Sequence, residues 1–231
     1  MSKPAILFSE MTPPPGREAD FNAWYDQEHI PLRMRISGFS SAQRYRDGDA
    51  QNYLAVYEMT SGDALTTPDY LKLKASPSER TRDMLASVSG FTRYLANPLQ
   101  PAAQPADVDG FIEAPVLYAV LFDVPTPRLQ AFDAWYDGEH VPMLLEDPRW
   151  LGVRRFTIFD GAPAPFNRLA LHYLATRDVL DSDARKRARA TPQRAHLAQE
   201  PWFKGRYAIF DRLGSRFGGQ GFAGQDLGSQ A

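Results

Sequence analysis

The string Phe21-Asn22-Ala23-Trp24-Tyr25-Asp26-Gln27-Glu28-His29-Ile30-Pro31 returns as Phe132-Asp133-Ala134-Trp135-Tyr136-Asp137-Gly138-Glu139-His140-Val141-Pro142, identical at eight of eleven positions. The offset of 111 residues holds without a gap from Pro4/Pro115 through Arg17/Arg128 to Arg44/Arg155 and Tyr45/Phe156, until a longer hairpin in the second copy shifts it. An internal repeat of this length means that one supersecondary unit has been used twice. The chain therefore divides into a first copy at 1–97, a proline-containing linker at 98–114, a second copy at 115–212 and a glycine-rich tail at 213–231 that reads as loose, with Phe217 and Phe222 as its only anchors.

Each copy carries the same order of signals. Short apolar runs at 4–11 and 115–123 end in proline-rich turns and suit strands. Phe21, Trp24, Tyr25, Glu28 and Leu32 then follow helical spacing, as do Phe132, Trp135, Tyr136, Glu139 and Met143. Pro31 and Pro142 lack an amide hydrogen and are expected to kink or end each helix just after the histidine. Two strands follow, at 39–46 and 52–60 or at 150–159 and 167–176, then a helix within 68–88 or 178–198, then a last strand at 91–96 or 205–211. The order β-α-β-β-α-β, twice, is the ferredoxin-like split motif in an α+β fold.

In the third strand Tyr53, Ala55, Tyr57 and Met59 point one way and Leu54, Val56 and Glu58 the other, so both faces are largely apolar. Such a sheet must be covered on both sides. The helices of its own copy supply one cover, and the sheet of the other copy supplies the second, which predicts a pseudo-twofold sandwich or barrel within one chain.

The repeated Trp-Tyr-Asp-x-Glu-His-x-Pro string, followed in the first copy by Ser37-Gly38-Phe39-Ser40-Ser41-Ala42-Gln43-Arg44-Tyr45 at the start of the second strand, resembles the EthD-like members of the dimeric α+β barrel superfamily. The resemblance covers roughly 4–97 and 115–212. It implies a barrel of two ferredoxin-like units, here in tandem, with a cleft between the sheet and the helices of a unit. Relatives in that superfamily include lactone isomerases of aromatic catabolism, polyketide cyclases, cofactor-free oxygenases and haem-handling proteins, so the resemblance speaks to fold before reaction. The second copy departs from the pattern with Arg149-Trp150 where the first has Gly38-Phe39, which leaves the start of its second strand open to a different geometry.

The string itself carries candidate chemistry. His29 and His140 each follow a carboxylate by one and by three residues, and histidine is the side chain that titrates near neutrality. Asp26 or Asp137 at i, i+3 can orient the imidazole for general acid/base work. Tyr25 or Tyr136 can donate to an oxygen that gains charge, and Trp24 or Trp135 offers an apolar wall. Arg44 and Arg155, at equivalent strand positions, are candidate anchors for a substrate carboxylate, with ion pairing to Asp26 or Asp137 as the alternative. His172 aligns with Val56 and projects opposite to Tyr173; if it faces the helices it pairs with His140, an asymmetry that favours the second copy. Tyr57 and Tyr173 complete the candidate binding set. The competing reading makes the string a structural joint, with aromatics packed on the sheet and the histidine serving a main-chain carbonyl.

The run Arg185, Lys186, Arg187, Arg189, Arg194 follows Asp178, Asp181 and Asp183, an order that suits a helix dipole and reads as a solvated face. With 26 basic and 28 acidic residues there is no broad positive field for nucleic acid. Cysteine is absent, no run approaches a membrane span, and no metal or nucleotide motif appears, so the expectation is a cytoplasmic protein without metal or cofactor. The chain then acts as a monomer with an internal pseudo-dimer or as a homodimer. Its expected role is cofactor-independent proton transfer on a small aromatic-derived, lactone or polyketide-like substrate, of isomerase, cyclase or lyase type. The alternatives are a non-catalytic small-molecule-binding barrel and a haem- or oxygen-handling, monooxygenase-like protein.

Overall fold

A computed structural model describes residues 3–48, 51–99, 108–163 and 165–219. In the first copy, strand β1 (Ala5–Thr12) leads into helix α1 (Glu18–Trp24), one π-helical turn (Tyr25–His29) and α2 (Ile30–Met34); β2 (Phe39–Asp47) and β3 (Tyr53–Met59) form a hairpin, and α3 (Pro68–Ala75), α4 (Glu79–Ser87) and β4 (Ser89–Pro98) complete the unit. A short helix α5 (Val108–Phe111) precedes the second copy. There β5 (Val116–Phe122), α6 (Leu129–Trp135), a second π-helical turn (Tyr136–His140), α7 (Val141–Leu144), β6 (Trp150–Ala162), β7 (Arg168–Leu174), α8 (Asp183–Arg189), α9 (Pro192–Leu197) and β8 (Arg206–Gly218) repeat the order.

The eight strands close into an antiparallel barrel in the order β1-β3-β2-β8-β5-β7-β6-β4. The copies are joined at two seams, β2 to β8 and β4 to β6. Closure leaves no free sheet edge. The strand faces obey the alternation read from the sequence: Tyr53, Ala55, Tyr57 and Met59 pack with the first copy's helices, while Leu54 and Val56 join Leu117, Ala119, Leu169 and Leu171 of the second copy in the barrel interior. Neither sheet could bury its inner face alone, so each copy is the other's second cover.

The helices do not kink or end at Pro31 and Pro142 as expected. The amide of Ile30 donates to the Tyr25 carbonyl, and that of Val141 to the Tyr136 carbonyl, each five residues back. A proline both lacks a donor and clashes with the carbonyl four residues before it. The wider π-turn accommodates both demands, so the helix runs on. The extra residue also shifts the buried stripe: after Trp24 and Tyr25 it continues at Ile30 and Met34, not at Glu28 and Leu32, and in the second copy at Val141 and Leu144, not at Glu139 and Met143.

Two boundaries differ from expectation. The last strand does not stop near 211: β8 runs to Gly218, and Leu213 and Phe217 pack on the first copy's core, so 213–218 are strand and not loose tail. The reason is β2, whose Ser41, Ala42 and Arg44 pair with Gly218, Phe217 and Leu213. Phe222 and the rest of the tail lie outside the described residues, as does most of the 98–114 linker. At the linker's end Phe111 is buried against Tyr173, ring centroids 5.1 Å apart. A Cβ on Gly152 would lie 2.6 Å from the Phe111 ring, so glycine is required there. Arg149-Trp150, despite its departure from Gly38-Phe39, starts its strand as the first copy does. Phe39 and Trp150 each follow an i→i−3 turn and precede the same bulge against Met59 or Leu174.

Candidate active site

Three polar positions of the repeated string are held alike in both copies, and in each case by the protein itself. Glu28 accepts from Thr81 Oγ1 at 2.8 Å and from Ser78 Oγ, the hydroxyl that caps α4. Glu139 accepts from Thr191 Oγ1 at 2.5 Å, the cap of α9, and from Trp135 Nε1 at 3.1 Å. The carboxylates expected to orient the histidines serve arginines instead. Asp26 accepts from Arg44 at 2.6 Å and Asp137 from Arg155 at 2.7 Å, while Asn22 and Asp133 take the second nitrogens at 2.6 and 2.5 Å. Arg168 also donates to Asp133, at 2.7 Å. Arg44 and Arg155 are 1% and 2% exposed, so neither is free to anchor a substrate. Their guanidiniums lie over the Tyr25 and Tyr136 rings, 4.6 and 4.5 Å from the centroids. A bound cation beneath each tyrosine belongs to the joint that fastens the π-turn to the sheet.

The copies part company on the sheet. The strand register pairs Leu7 with Tyr57 and Tyr118 with His172, and Arg44 with Ala55 but Arg155 with Ala170. His172 therefore corresponds to Tyr57 and not to Val56. The longer second hairpin adds four residues, and a slip of one residue exchanges the two faces of a strand. His172 does face the helices. Tyr173 consequently points into the barrel interior, where its hydroxyl lies 3.5 Å from Arg154, away from the histidine.

His172 is held from two sides. Trp150 Nε1 donates to its Nδ1 at 3.2 Å, and its Nε2 lies 2.8 Å from the Tyr136 hydroxyl. An indole N–H only donates, so Nδ1 carries no proton. Burial, followed by His140, Arg155 and Arg185, pushes the His172 pKa well below the usual range, so the ring is neutral. Its one proton must sit on Nε2, and the Tyr136 oxygen accepts it. The tyrosine's own O–H is thereby left to donate elsewhere. In the first copy Phe39 replaces Trp150 and Tyr57 replaces His172, its hydroxyl buried beside that of Tyr25, so the indole and imidazole that hold Tyr136 have no counterpart there.

Beside this trio opens a cavity of about 620 Å³, lined by Trp135, Tyr136, His140, Trp150 and His172 from the second copy. Its size falls within the usual range for small-molecule sites, about 300–1,000 Å³. Tyr118, Phe203 and Tyr207 add aromatic surface, and Asp47 and Asn52 reach in from the β2–β3 hairpin of the first copy. His140 stacks on Trp135 at 4.8 Å, with its Nδ1 buried and without a hydrogen-bond partner. Burial holds its pKa down at about 4, with the Ala188 main chain opposing and Arg194, Arg185 and Arg189 adding to the depression. The ring is thus an unprotonated base at neutral pH. On the helix side of the first copy Tyr57, Phe39, Tyr70, Leu73 and Phe217 gather in one apolar cluster, and His29, 5% exposed, is sandwiched against Trp24 and Tyr25.

Sequence reasoning missed Trp150 as a hydrogen-bond donor and Arg185, Arg189 and Arg194 as cavity residues. The signal for Trp150 was present in the Phe39/Trp150 difference between copies. The arginines read as a solvated face because a one-dimensional charge run does not show which side of α8 meets the sheet.

No family model and no curated protein matches the sequence. Among solved structures, the chain is similar to an anthrone oxidase-like protein with 12% identity and a TM-score of 0.67, covering 100% of this chain and 98% of that one. It is also similar to a monooxygenase-like protein from Fusobacterium nucleatum, with 10% identity, a TM-score of 0.60 and coverage of 94% and 95%. Chlorite dismutase from Candidatus Nitrospira defluvii matches at 10% identity and a TM-score of 0.59, covering 92% of each chain. Likeness at these identities establishes the shared α+β barrel fold. Among the described residues, no helix is long and apolar enough to cross a membrane.

Proposed function

We propose that this protein is an enzyme of small-molecule metabolism, EthD-like in its repeated string, that promotes proton transfer on a planar aromatic-derived, lactone or polyketide-like substrate in the second-copy cavity. The observation that carries the reading is the tautomer of His172. With Trp150 on Nδ1 and the proton on Nε2, the Tyr136 hydroxyl must accept from within the protein and direct its own proton to a ligand. That is the polarity needed to donate to a carbonyl oxygen that becomes an enolate. Arg155, over the same ring, and His172 Nε2–H both favour the charge that grows on the tyrosine oxygen as its proton is drawn away. Neutral His140, on the cavity wall, is the candidate acceptor of the proton leaving the substrate. Trp135 and Trp150 supply faces for a planar ring. Tyr25, Asp26 and His29 hold the corresponding joint in the first copy and take no part.

Solvent-deuterium incorporation into enolisable aromatic ketones and lactones, followed by NMR, tests this without knowing the final product. Exchange promoted by the full chain should fall about 10²–10³-fold in Y136F, the usual effect of removing one oxyanion donor. Unchanged exchange in folded Y136F overturns the assignment.

The likeness to an anthrone oxidase-like protein across the whole chain favours one second reading, in which the carbanion so formed reacts with dioxygen. Oxygen uptake during the same assay separates that outcome from proton transfer alone. A haem-dependent version does not fit His172, because both of its ring nitrogens are already held by Trp150 and Tyr136.

A further inference from the structure

The cavity has a basic end that neither the repeated string nor its chemistry explains. Arg185 and Arg189 come from α8 and Arg194 from α9, and all three line the cavity. Two other lining arginines have carboxylate partners: Arg177 pairs with Asp211 at 2.9 Å, and Arg206 with the buried Glu10 at 2.6 Å. Arg185, Arg189 and Arg194 differ. Among the described residues no carboxylate lies within ion-pair distance of any of them; Arg185 donates to the Leu180 carbonyl at 2.5 Å and Arg194 to the Arg189 carbonyl at 3.3 Å. The outward residues of the same run are neutralised, Lys186 by Asp183 at 3.2 Å and Arg187 by Glu146 at 2.5 Å. The charges at 186 and 187 are thus paired with carboxylates, while the half-buried Arg185 and Arg194 and the exposed Arg189 at the rim of the cavity are not. Three like charges on one wall repel one another, which depresses Arg194 after burial has done so.

Resting on the proposed reading of this cavity, we infer that the substrate is an anion, a planar aromatic acid whose carboxylate or phosphate oxygens sit between Arg185, Arg189 and Arg194 while its ring lies among Tyr118, Tyr207 and Phe203. Guanidinium donors match an oxyanion in geometry and charge. Tyr118 and Tyr207 stack with ring centroids 6.2 Å apart and planes 14° from parallel, giving the wall a flat aromatic face next to the arginines. The field of the cluster also reaches His140, which burial first and then all three arginines hold down, so an anion that neutralised them would relieve the smaller part of that depression.

Calorimetric titration of the full chain with 2-naphthoate, 2-naphthyl phosphate and neutral 2-naphthamide tests this. The expected result is binding of the acids about tenfold or more tighter than the amide, a margin that shrinks with added salt. The R189Q/R194Q variant should lose that margin with little change for the amide, R189Q alone should lose part of it, and K186Q should keep it. The stronger of the two acids identifies the head group. Equal binding of amide and acids, a margin retained in R189Q/R194Q, or an equal loss in K186Q overturns the anion site and leaves the cavity reading standing. Failure of all three probes to bind overturns both.

Discussion

Trp150→Phe isolates the feature on which the site depends. Phenylalanine already occupies the matching position as Phe39, so the barrel accepts the ring, and what disappears is the indole N–H on His172 Nδ1. Trp150 and His172 are 2% and 1% exposed, so the bond that is lost is a buried one. The net worth of a neutral hydrogen bond is about 0.5–1.5 kcal/mol, and a buried acceptor left alone costs about 1–3 kcal/mol. With the smaller ring leaving some empty volume, a loss of about 2–4 kcal/mol follows. For a chain of this size each kcal/mol shifts Tm by about 2–4 °C, which gives a drop of about 5–15 °C. The more specific consequence is chemical. Without the indole, His172 can place its proton on either nitrogen, and in the Nδ1–H tautomer Tyr136 would donate inward. Histidine-selective ¹⁵N NMR should show a single Nε2–H tautomer for His172 in the native chain and a mixture in W150F, together with slower deuterium exchange on substrate. A native Nδ1–H tautomer, a charged His172 at neutral pH, or a W150F chain as stable and as active as the parent would refute the reasoning.

Three further outcomes follow from the same geometry. The folded chain resists protonation of His172, His29 and His140, whose pKa values lie below the ordinary 6.5, so the unfolded chain binds more protons under acid; stability is complete above about pH 6.5 and falls toward pH 4, where His140 titrates. Denaturant midpoints measured between pH 7.5 and 4.5 should show this slope, and H172Q should flatten it. D133A removes a carboxylate shared by the buried Arg155 and by Arg168, and is expected to destabilise by about 3–5 kcal/mol in urea titrations; D160A, which frees only the half-exposed Arg93, should cost less than about 1 kcal/mol. Y25F should leave turnover within about twofold of the parent where Y136F loses orders of magnitude, and equal losses in the two would place the chemistry in both copies.

Much of the architecture was legible because it depends on local periodicity repeated twice. Alternation along β3 puts Tyr57 and Val56 on opposite faces and requires a second cover that the other copy provides, but it does not say which face meets the helices; the structure puts Tyr57 there and Val56 in the interior. The helix phase beyond Tyr25 was not legible, since a π-turn adds a residue that a 3.6-residue template does not contain. His172 was singled out, yet its counterpart was misassigned, because counting through a hairpin of unknown length risks a one-residue error that changes the face. For Arg44 and Arg155 the sequence left two roles open, substrate anchor or ion pair with Asp26 and Asp137, and their burial beside those carboxylates selects the ion pair.

By itself the sequence determined that the chain is two ferredoxin-like units of one pattern, which strand faces are apolar, and that an aromatic and acidic string recurs in the first helix of each. Those properties live in near-neighbour spacing and in the need to bury both sides of a sheet. Only the tertiary structure decided that the two joints differ in their surroundings. Phe217, brought by the extension of β8 along β2, packs on the apolar cluster that holds Tyr57 on the first side, whereas Trp150, His172 and the arginines of α8 and α9 converge from four elements around an open volume on the second. Which residues meet across a closed barrel depends on register and hairpin length summed over the whole chain, and no local pattern contains that sum.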